Sequence, residues 1–529
     1  MTSEEGSSGR DFLRKEYILL FGLFVAALLF RTIFLGNTFQ SADNVALADR
    51  VVHYCGYAWM AREYYGFLIN FLVKIFTATL STLGITLTEF WWKFPIALVG
   101  SVQVLVTYFI LRKAVNFLAK PKLLAMAGAA CLTFFPNHIM QSRYLWGYEV
   151  LGVFFLSLFL WSWLLFLEKP APGSGRGASV LLALYLISHG YILPFFPAFC
   201  LSFFLLSSPE HRHLNPLKKF RANLVLFRHY RVWLYPLLFL PLTFGALRHT
   251  LQKKTQTGFY WSSLRSFIES VGIFFFVFIL AAFFLFFLRK SWRHSIQWVF
   301  LLLGFSYLAP LFLAVPPGVT VVRGYMTMGI YWLLLFSLAV WVQVFEKKLR
   351  FYLWLLVFVL LPTALGTAVS IFTGNGFFNP TMIKADRGEV YPDPGTKAAG
   401  YILRRYFPAD KYPASGFPIL VLHRNIEPPC VSYYFEREAI AFYDLTLEQT
   451  RQAFLRYGEK ASLVIAEADQ VELVSSCHQF SPKIILYFRG LPRLWVFARH
   501  DVPLPEIKGE VEEFNRAYNR EFAPRVSFR

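Results

Sequence analysis

Charge is what this chain has least of. Charged residues fill 16% of its 529 positions, where a soluble domain carries about 25%. With 56% hydrophobic residues, 59 Phe and a mean hydropathy of +0.47, no soluble fold of this size hides the apolar surface, whereas a bilayer solvates it. Cysteine is also scarce, and the five present show no metal-ligand spacing. A Gly-rich phosphate loop, an Asp-x-Asp motif in the basic loops and an internal repeat are all missing. These absences argue against a mononucleotide site, a nucleotide-sugar site and a repeat array.

What is present is a series of apolar runs. A spanning helix needs ~20 apolar residues. Candidate spans are 17–35, 91–111, 122–137, 146–167, 233–247, 267–288, 296–315, 326–344 and 352–372. The run 179–207 is broken by His189, Gly190, Pro194 and Pro197. Basic loops flank it on both sides, which fits two short helices hinged at His189–Gly190; a single kinked helix is the competing reading and would invert everything after it. The expected fold is therefore a polytopic α-helical membrane protein of about eleven spans.

The formal net charge is +20, which in a soluble protein would suggest nucleic acid. Here Lys and Arg concentrate in short loops: the N-terminus, 112–122, 169–176, 212–231, 289–293 and 347–350. No basic stripe lies on a soluble segment, so nucleic acid is not an expected partner. The pattern is a topology signal and an attraction to anionic membrane lipid. It predicts a cytoplasmic N-terminus, held as an uncleaved signal anchor because no small-residue cleavage site follows the first apolar run. The C-terminal domain then lies outside, in the periplasm if the membrane is a bacterial inner membrane.

Domain boundaries are expected at 1–372, including an outer loop 36–90, and at 373–529. The second part alternates helix and strand patterns, as a small α/β domain does. Helices are predicted at 395–407, 447–457 and 468–479, and strands at 419–422, 432–435, 439–443, 463–466, 484–488 and 494–497. Cys430 and Cys477 either pair as a disulfide outside the cytoplasm or stay as two buried thiols.

Loop 36–90 is too long for a turn. Residues 45–60 fit an interfacial helix, and 67–83 fits either a second one or a span. Asp43 lies ~8 residues past the first span, where a carboxylate is costly unless solvated or paired. It is a functional candidate, or else the N-cap of the helix that follows.

Several motifs then follow in order. They are Asp43-Asn44; Trp92-Lys93-Phe94-Pro95 with Ala97, Leu98 and Gly100; Phe135-Pro136-Asn137-His138-Ile139 with Ser142-Arg143; Arg323-Gly324-Tyr325; and Gly395-Thr396-Lys397-Ala398-Ala399-Gly400-Tyr401-Ile402. In order and sidedness, over the whole chain, this layout resembles the membrane-embedded GT-C glycosyltransferases, in particular the family 39-like protein O-mannosyltransferase and aminoarabinose-transferase branch.

The resemblance implies inverting transfer of a sugar from a polyprenyl-phosphate carrier to an unknown acceptor at the outer face; no cofactor is expected, and, with no Asp-x-Asp motif in the basic loops, no obligatory metal. The resemblance also implies Asp43 as general base and Arg323, Arg143 and Lys93 on the donor phosphate, since a guanidinium binds two oxygens at once. Asp49, His53 and His138 become acceptor-site or loop-site candidates. His138 is also readable as a structural interfacial residue, Arg323 as a snorkelling arginine and Glu149 as a partner for Arg143. The family's acidic motif is usually Asp-Glu, and this chain has Asn44 at the second position. That departure leaves a non-catalytic accessory or structural subunit as the alternative function. A transporter fits less well, because no inverted repeat and few intramembrane carboxylates are present.

Overall fold

The computed structural model describes residues 5–35, 42–53, 66–114, 121–145, 147–188, 192–211, 213–243, 248, 267–268, 271–288, 295–313, 321–345, 348–373, 395–422, 428–437, 439–441, 446–488 and 490–523. The first helices are α1 (Glu5–Thr32), α2 (Ala42–His53), α3 (Phe67–Thr82), α4 (Glu89–Ala114), α5 (Pro121–Thr133), α6 (Pro136–Gln141), α7 (Tyr148–Glu168), α8 (Pro172–Leu186), α9 (Ile192–Leu205), α10 (Pro216–His229) and α11 (Leu234–Phe239). Then come α12 (Ile273–Leu288), α13 (Ser295–Leu313), α14 (Val321–Val344) and α15 (Leu349–Thr373). The C-terminal part holds α16 (Gly395–Tyr406), β1 (Ile419–Val421), α17 (Pro428–Phe435), β2 (Ile440–Ala441), α18 (Leu447–Tyr457), β3 (Leu463–Ala466), α19 (Val471–Ser475), β4 (Phe480–Phe488), β5 (Leu491–Arg499), β6 (Ile507–Glu510) and α20 (Val511–Glu521).

Among the described residues, four helical stretches are long and apolar enough to cross a bilayer: Glu89–Ala114, Tyr148–Glu168, Met326–Val344 and Arg350–Phe372. Shorter apolar helices lie at Phe67–Thr82, Pro121–Thr133, Phe195–Leu205, Leu234–Thr243, Ile273–Leu288 and Ser295–Ala309. This is an integral membrane protein, and its helix breaks have chemical causes. The run 122–137 stops at Thr133 because Pro136 holds Phe135 extended (φ −74°, ψ 113°) and opens α6 at its first position. The run 179–207 is two helices, α8 and α9, as its Gly and Pro content predicts; residues 189–191 between them lie outside the described residues.

The chain divides into two compact units. One comprises Met1–Ile33, Gly56–Leu72 and Phe94–Pro380; the other comprises Phe34–Cys55, Val73–Lys93 and Thr381–Arg529. In the first unit α13 packs on α14, α7 on α8 and α9 on α13. Gly304 and Gly329 let α13 and α14 approach so closely that a Cβ on either would stand within 3.3 Å of the other's carbonyl oxygen. Gln103 of α4 donates to Tyr331 of α14 (2.8 Å) and Ser157 of α7 (3.0 Å), a polar tie inside an otherwise apolar bundle. Charges gather where helices end. Buried Glu16 accepts from Lys122 (2.9 Å), Arg112 (3.3 Å) and the Tyr108 hydroxyl, and Lys113 pairs with Glu168. Glu16 of α1 thus meets both ends of the α4–α5 connection, and the end of α4 meets the end of α7.

The second unit is built on a mixed six-stranded sheet of order β2-β1-β3-β5-β4-β6. Strands β1 and β3 are parallel and buried throughout, as continuous apolar runs must be. Strand β4 buries Ile484, Leu486 and Phe488 in alternation. Leu420, Val464, Phe454 and Phe497 meet in the core. Helix α18 follows prediction at both ends, fixed by a capping box: Gln449 N–H donates to the Thr446 hydroxyl (3.3 Å), and Thr446 N–H to the Gln449 side chain (2.9 Å).

Three expectations fail here. The aromatic run 432–435 is helix α17, not a strand, because Pro428 and Pro429 open a helix whose buried Val431, Tyr433, Tyr434 and Phe435 pack against neighbours. The helix expected at 468–479 ends at Ser475. Ser476 Oγ donates to the Leu473 carbonyl (2.8 Å), a local bond that competes with helix continuation. Strand β6 and helix α20 were not foreseen. Cys430 and Cys477 are free thiols, the former buried.

Gly400 of α16 is a position where no side chain fits. A Cβ there would lie 2.6 Å from the backbone oxygen of Tyr434. Gly400→Ala is expected to destabilise the second unit by about 1–3 kcal/mol, read as a lower thermal unfolding midpoint of the purified protein; an unchanged midpoint would contradict the packing described.

Candidate functional site

In the first unit, the end of α1 meets the α5–α6 corner through two arginines. Arg31 is fully buried. It donates to the Ala27 carbonyl (3.0 Å) and the Leu132 carbonyl (3.3 Å), and its third contact is His138 Nδ1 at 3.0 Å. A guanidinium has no acceptor, so Nδ1 must accept and the neutral ring carries its proton on Nε2. Ser142 Oγ donates to the His138 carbonyl (2.5 Å). Arg143, also buried, donates to the carbonyls of Phe30 (2.9 Å) and Ile33 (2.5 Å). These are α1's terminal carbonyls, which lack intrahelical donors, and a cation there also suits the helix dipole. The two arginines thus anchor the C-terminal end of α1. Arg143→Lys keeps the charge but loses the planar fork. It is expected to cost about 1–3 kcal/mol through unsatisfied carbonyls, measured by thermal unfolding beside Arg143→Ala.

In the second unit, Asp43 and Asn44 fall in the first turn of α2 and His53 is its last residue; their side chains lie outside the described residues. Asp49 is half-buried on the same helix, which packs against α17. The Tyr433 hydroxyl is pushed well above its ordinary range by burial, and the charges of Glu89 and Asp49 add to the effect. Lys93 is fully buried, one helical turn after Glu89. Glu89 is itself buried and accepts both bonds of Lys397 (2.8 Å each) and one from the Tyr434 hydroxyl (3.0 Å). Lys397 also stands 5.5 Å from the Tyr518 ring centroid. Burial, reinforced by the Glu89 charge, keeps Tyr434 protonated and therefore a donor.

Arg323 falls in the first turn of α14, and its side chain lies outside the described residues, as does any convergence of Asp43 with Arg323. Glu149 is buried in the first turn of α7. The structure thus gathers His138 and Arg143 in one unit, and Asp43, Asp49, His53 and Lys93 in the other. Sequence reasoning missed Arg31, Glu89, Lys397 and Tyr434. A lone arginine within an apolar run was a visible signal for the first. Among the described residues, no group of three or more His, Cys, Asp or Glu comes together as a metal site.

No family profile matches the chain, and no curated protein matches it. Solved structures do. The apo oligosaccharyltransferase of Archaeoglobus fulgidus superposes with a TM-score of 0.51 at 13% identity, over 93% of this chain and 75% of that one. The same protein tethered with an acceptor peptide containing the NVT sequon gives a TM-score of 0.50 at 13% identity, over 92% and 74%. ArnT from Cupriavidus metallidurans bound to undecaprenyl phosphate gives 0.49 at 10% identity, over 92% and 98%. The two oligosaccharyltransferase superpositions show that this chain shares the fold of that membrane protein.

Proposed function

We propose that the chain is an inverting membrane glycosyltransferase that moves a sugar from a polyprenyl-phosphate carrier to an acceptor hydroxyl at the outer face of the membrane. The observation carrying this reading is the company Asp43 keeps. It opens a helix that belongs to one compact unit with the C-terminal α/β domain, inside a GT-C fold. Asp43 takes the acceptor proton as the oxygen attacks the anomeric carbon; the carrier phosphate leaves in a single displacement. Arg323, with Lys93, holds that phosphate, and a guanidinium suits it because its parallel N–H groups match two oxygens; the Arg143 fork stays with the carbonyls of Phe30 and Ile33. Asp49, His53 and His138 shape the acceptor side. The N-terminus and the basic loops are cytoplasmic, and segment 373–529 is extracytoplasmic. No metal takes part.

The test is turnover of a panel of radiolabelled polyprenyl-phosphate sugars by the full chain in vesicles. Transfer from at least one donor, released with inverted stereochemistry, supports the proposal; hydrolysis or transfer from none overturns it. Asn44, in place of a second acid, favours one other reading, an accessory subunit that kept the scaffold. Copurification of an active glycosyltransferase with an inert chain would select it.

A further inference from the structure

Helix α10 (Pro216–His229) has two faces of different construction. Its inner face is fastened to the bundle. Buried Asn223 donates to the carbonyls of Phe203 (2.8 Å) and Leu206 (2.6 Å), which end α9. Phe220 stacks on Phe204 (ring centroids 4.5 Å) and Phe227 meets Phe203 edge-on (5.6 Å). Asn215 caps the first turn by accepting from Lys218 N–H (2.9 Å). The element is therefore a rigid, satisfied helix.

Its outer face carries what a soluble surface avoids. Leu217 and Leu224 are 55% and 48% exposed. Seven residues apart, they stand one above the other. Arg221 and Arg228, both exposed and with the same spacing, run beside them. Val225 is 65% exposed, and Lys218 is exposed next to it. Leucines this open are covered by no partner among the described residues, and the interleaved cations rule out burial in the hydrocarbon core. A tight turn at Arg231 (φ 53°) then leads directly into α11, whose Leu237 and Leu238 are 57% and 62% exposed and form lipid-facing surface in a membrane protein. The ridge of α10 thus lies next to the level where apolar surface begins.

We propose that the outer face of α10 is a docking surface for anionic phospholipid of the leaflet at that end of the bundle. Leu217, Leu224 and Val225 enter the acyl boundary, while Lys218, Arg221 and Arg228 pair with headgroup phosphates. Charge complementarity selects this occupant. An apolar partner helix would leave three cations facing apolar surface, and an acidic soluble partner would leave three large apolar side chains in water. The inference needs only the membrane fold and stands or falls independently of sugar transfer.

The experiment uses the full chain in vesicles of mixed phosphatidylglycerol and phosphatidylcholine, with energy transfer from tryptophan to labelled lipid of either kind. The protein is expected to favour phosphatidylglycerol. The combined variant Lys218→Gln, Arg221→Gln, Arg228→Gln should lower the ratio of association constants about fivefold or more, while Lys218→Arg, Arg221→Lys, Arg228→Lys preserves it. Leu217→Ser with Leu224→Ser should lower association with both lipids about twofold or more at an unchanged thermal midpoint. Equal affinity for the two lipids, a preference untouched by the glutamines, or a preference abolished by soluble polyphosphate at physiological salt would overturn the proposal.

Discussion

Asp43→Asn is expected to lower sugar transfer by roughly 10²–10⁴-fold while leaving donor binding within about twofold, because a positioned general base contributes a factor of that size. The substitution keeps shape and hydrogen-bonding capacity and removes only the ability to take a proton. It also creates a second Asn beside Asn44, so no other carboxylate remains in the first turn of α2 to substitute. Single-turnover transfer from a radiolabelled polyprenyl-phosphate sugar separates the terms: the chemical step should slow, and the donor concentration at half-saturation should hold. Because α2 begins at Ala42, Asp43 lies inside its first turn and is not the N-cap; if its carboxylate served only the helix dipole there, Asn would replace it at about 0.3–1 kcal/mol of stability and the rate would stay unchanged. That result would remove the base assignment and leave the accessory reading in place. Asn44→Glu, which restores the second acid of the resembled motif, asks the complementary question. Faster transfer would identify the missing acid as a helper that this chain works without.

Much of the architecture was legible because apolar runs, prolines and Lys/Arg clusters act locally. The division of 179–207 into two helices, the start of α18 and strands β1 and β3 were all readable from short windows; the hinge expected at His189–Gly190 lies outside the described residues. What escaped depends on distant partners. The run 432–435 carries strand-like aromatics, and its helical form follows from its buried packing and from Pro428 and Pro429. In α20, Val511, Phe514 and Tyr518 sit at helical spacing, yet the surrounding charges make the segment look like a solvated tail. The basic stretch 212–231 was taken for a loop although Asn215-Pro216 is a helix start. For the site, motif order indicated His138 and Arg143. It did not indicate Arg31, whose role exists only once α1 and the α5–α6 corner meet. Nor did it indicate Glu89 and Lys397, which are 308 residues apart.

That last pair supports the other large prediction. Lys397→Met is expected to destabilise the second unit by about 3–5 kcal/mol, since it strands a buried carboxylate. Glu89→Gln should cost a similar amount by stranding the ammonium. Removing both charges is a different matter. Glu89→Leu with Lys397→Met leaves no ion to desolvate, and the remaining penalty is the Tyr434 hydroxyl, which loses its acceptor at about 1–3 kcal/mol. Adding Tyr434→Phe removes that too. The triple variant should therefore approach or exceed the stability of the parent. Thermal unfolding across the set forms the cycle, and strongly non-additive values are the signature. Additive, small losses would mean the pair is exposed in solution. Glu89 is the first residue of α4 and Lys397 lies in the first turn of α16, so within the second unit the pair ties the start of α4 to α16. A triple variant that is stable but slow in transfer would assign the charges to positioning Lys93 and α2, and one that is both stable and fully active would confine them to holding the unit together.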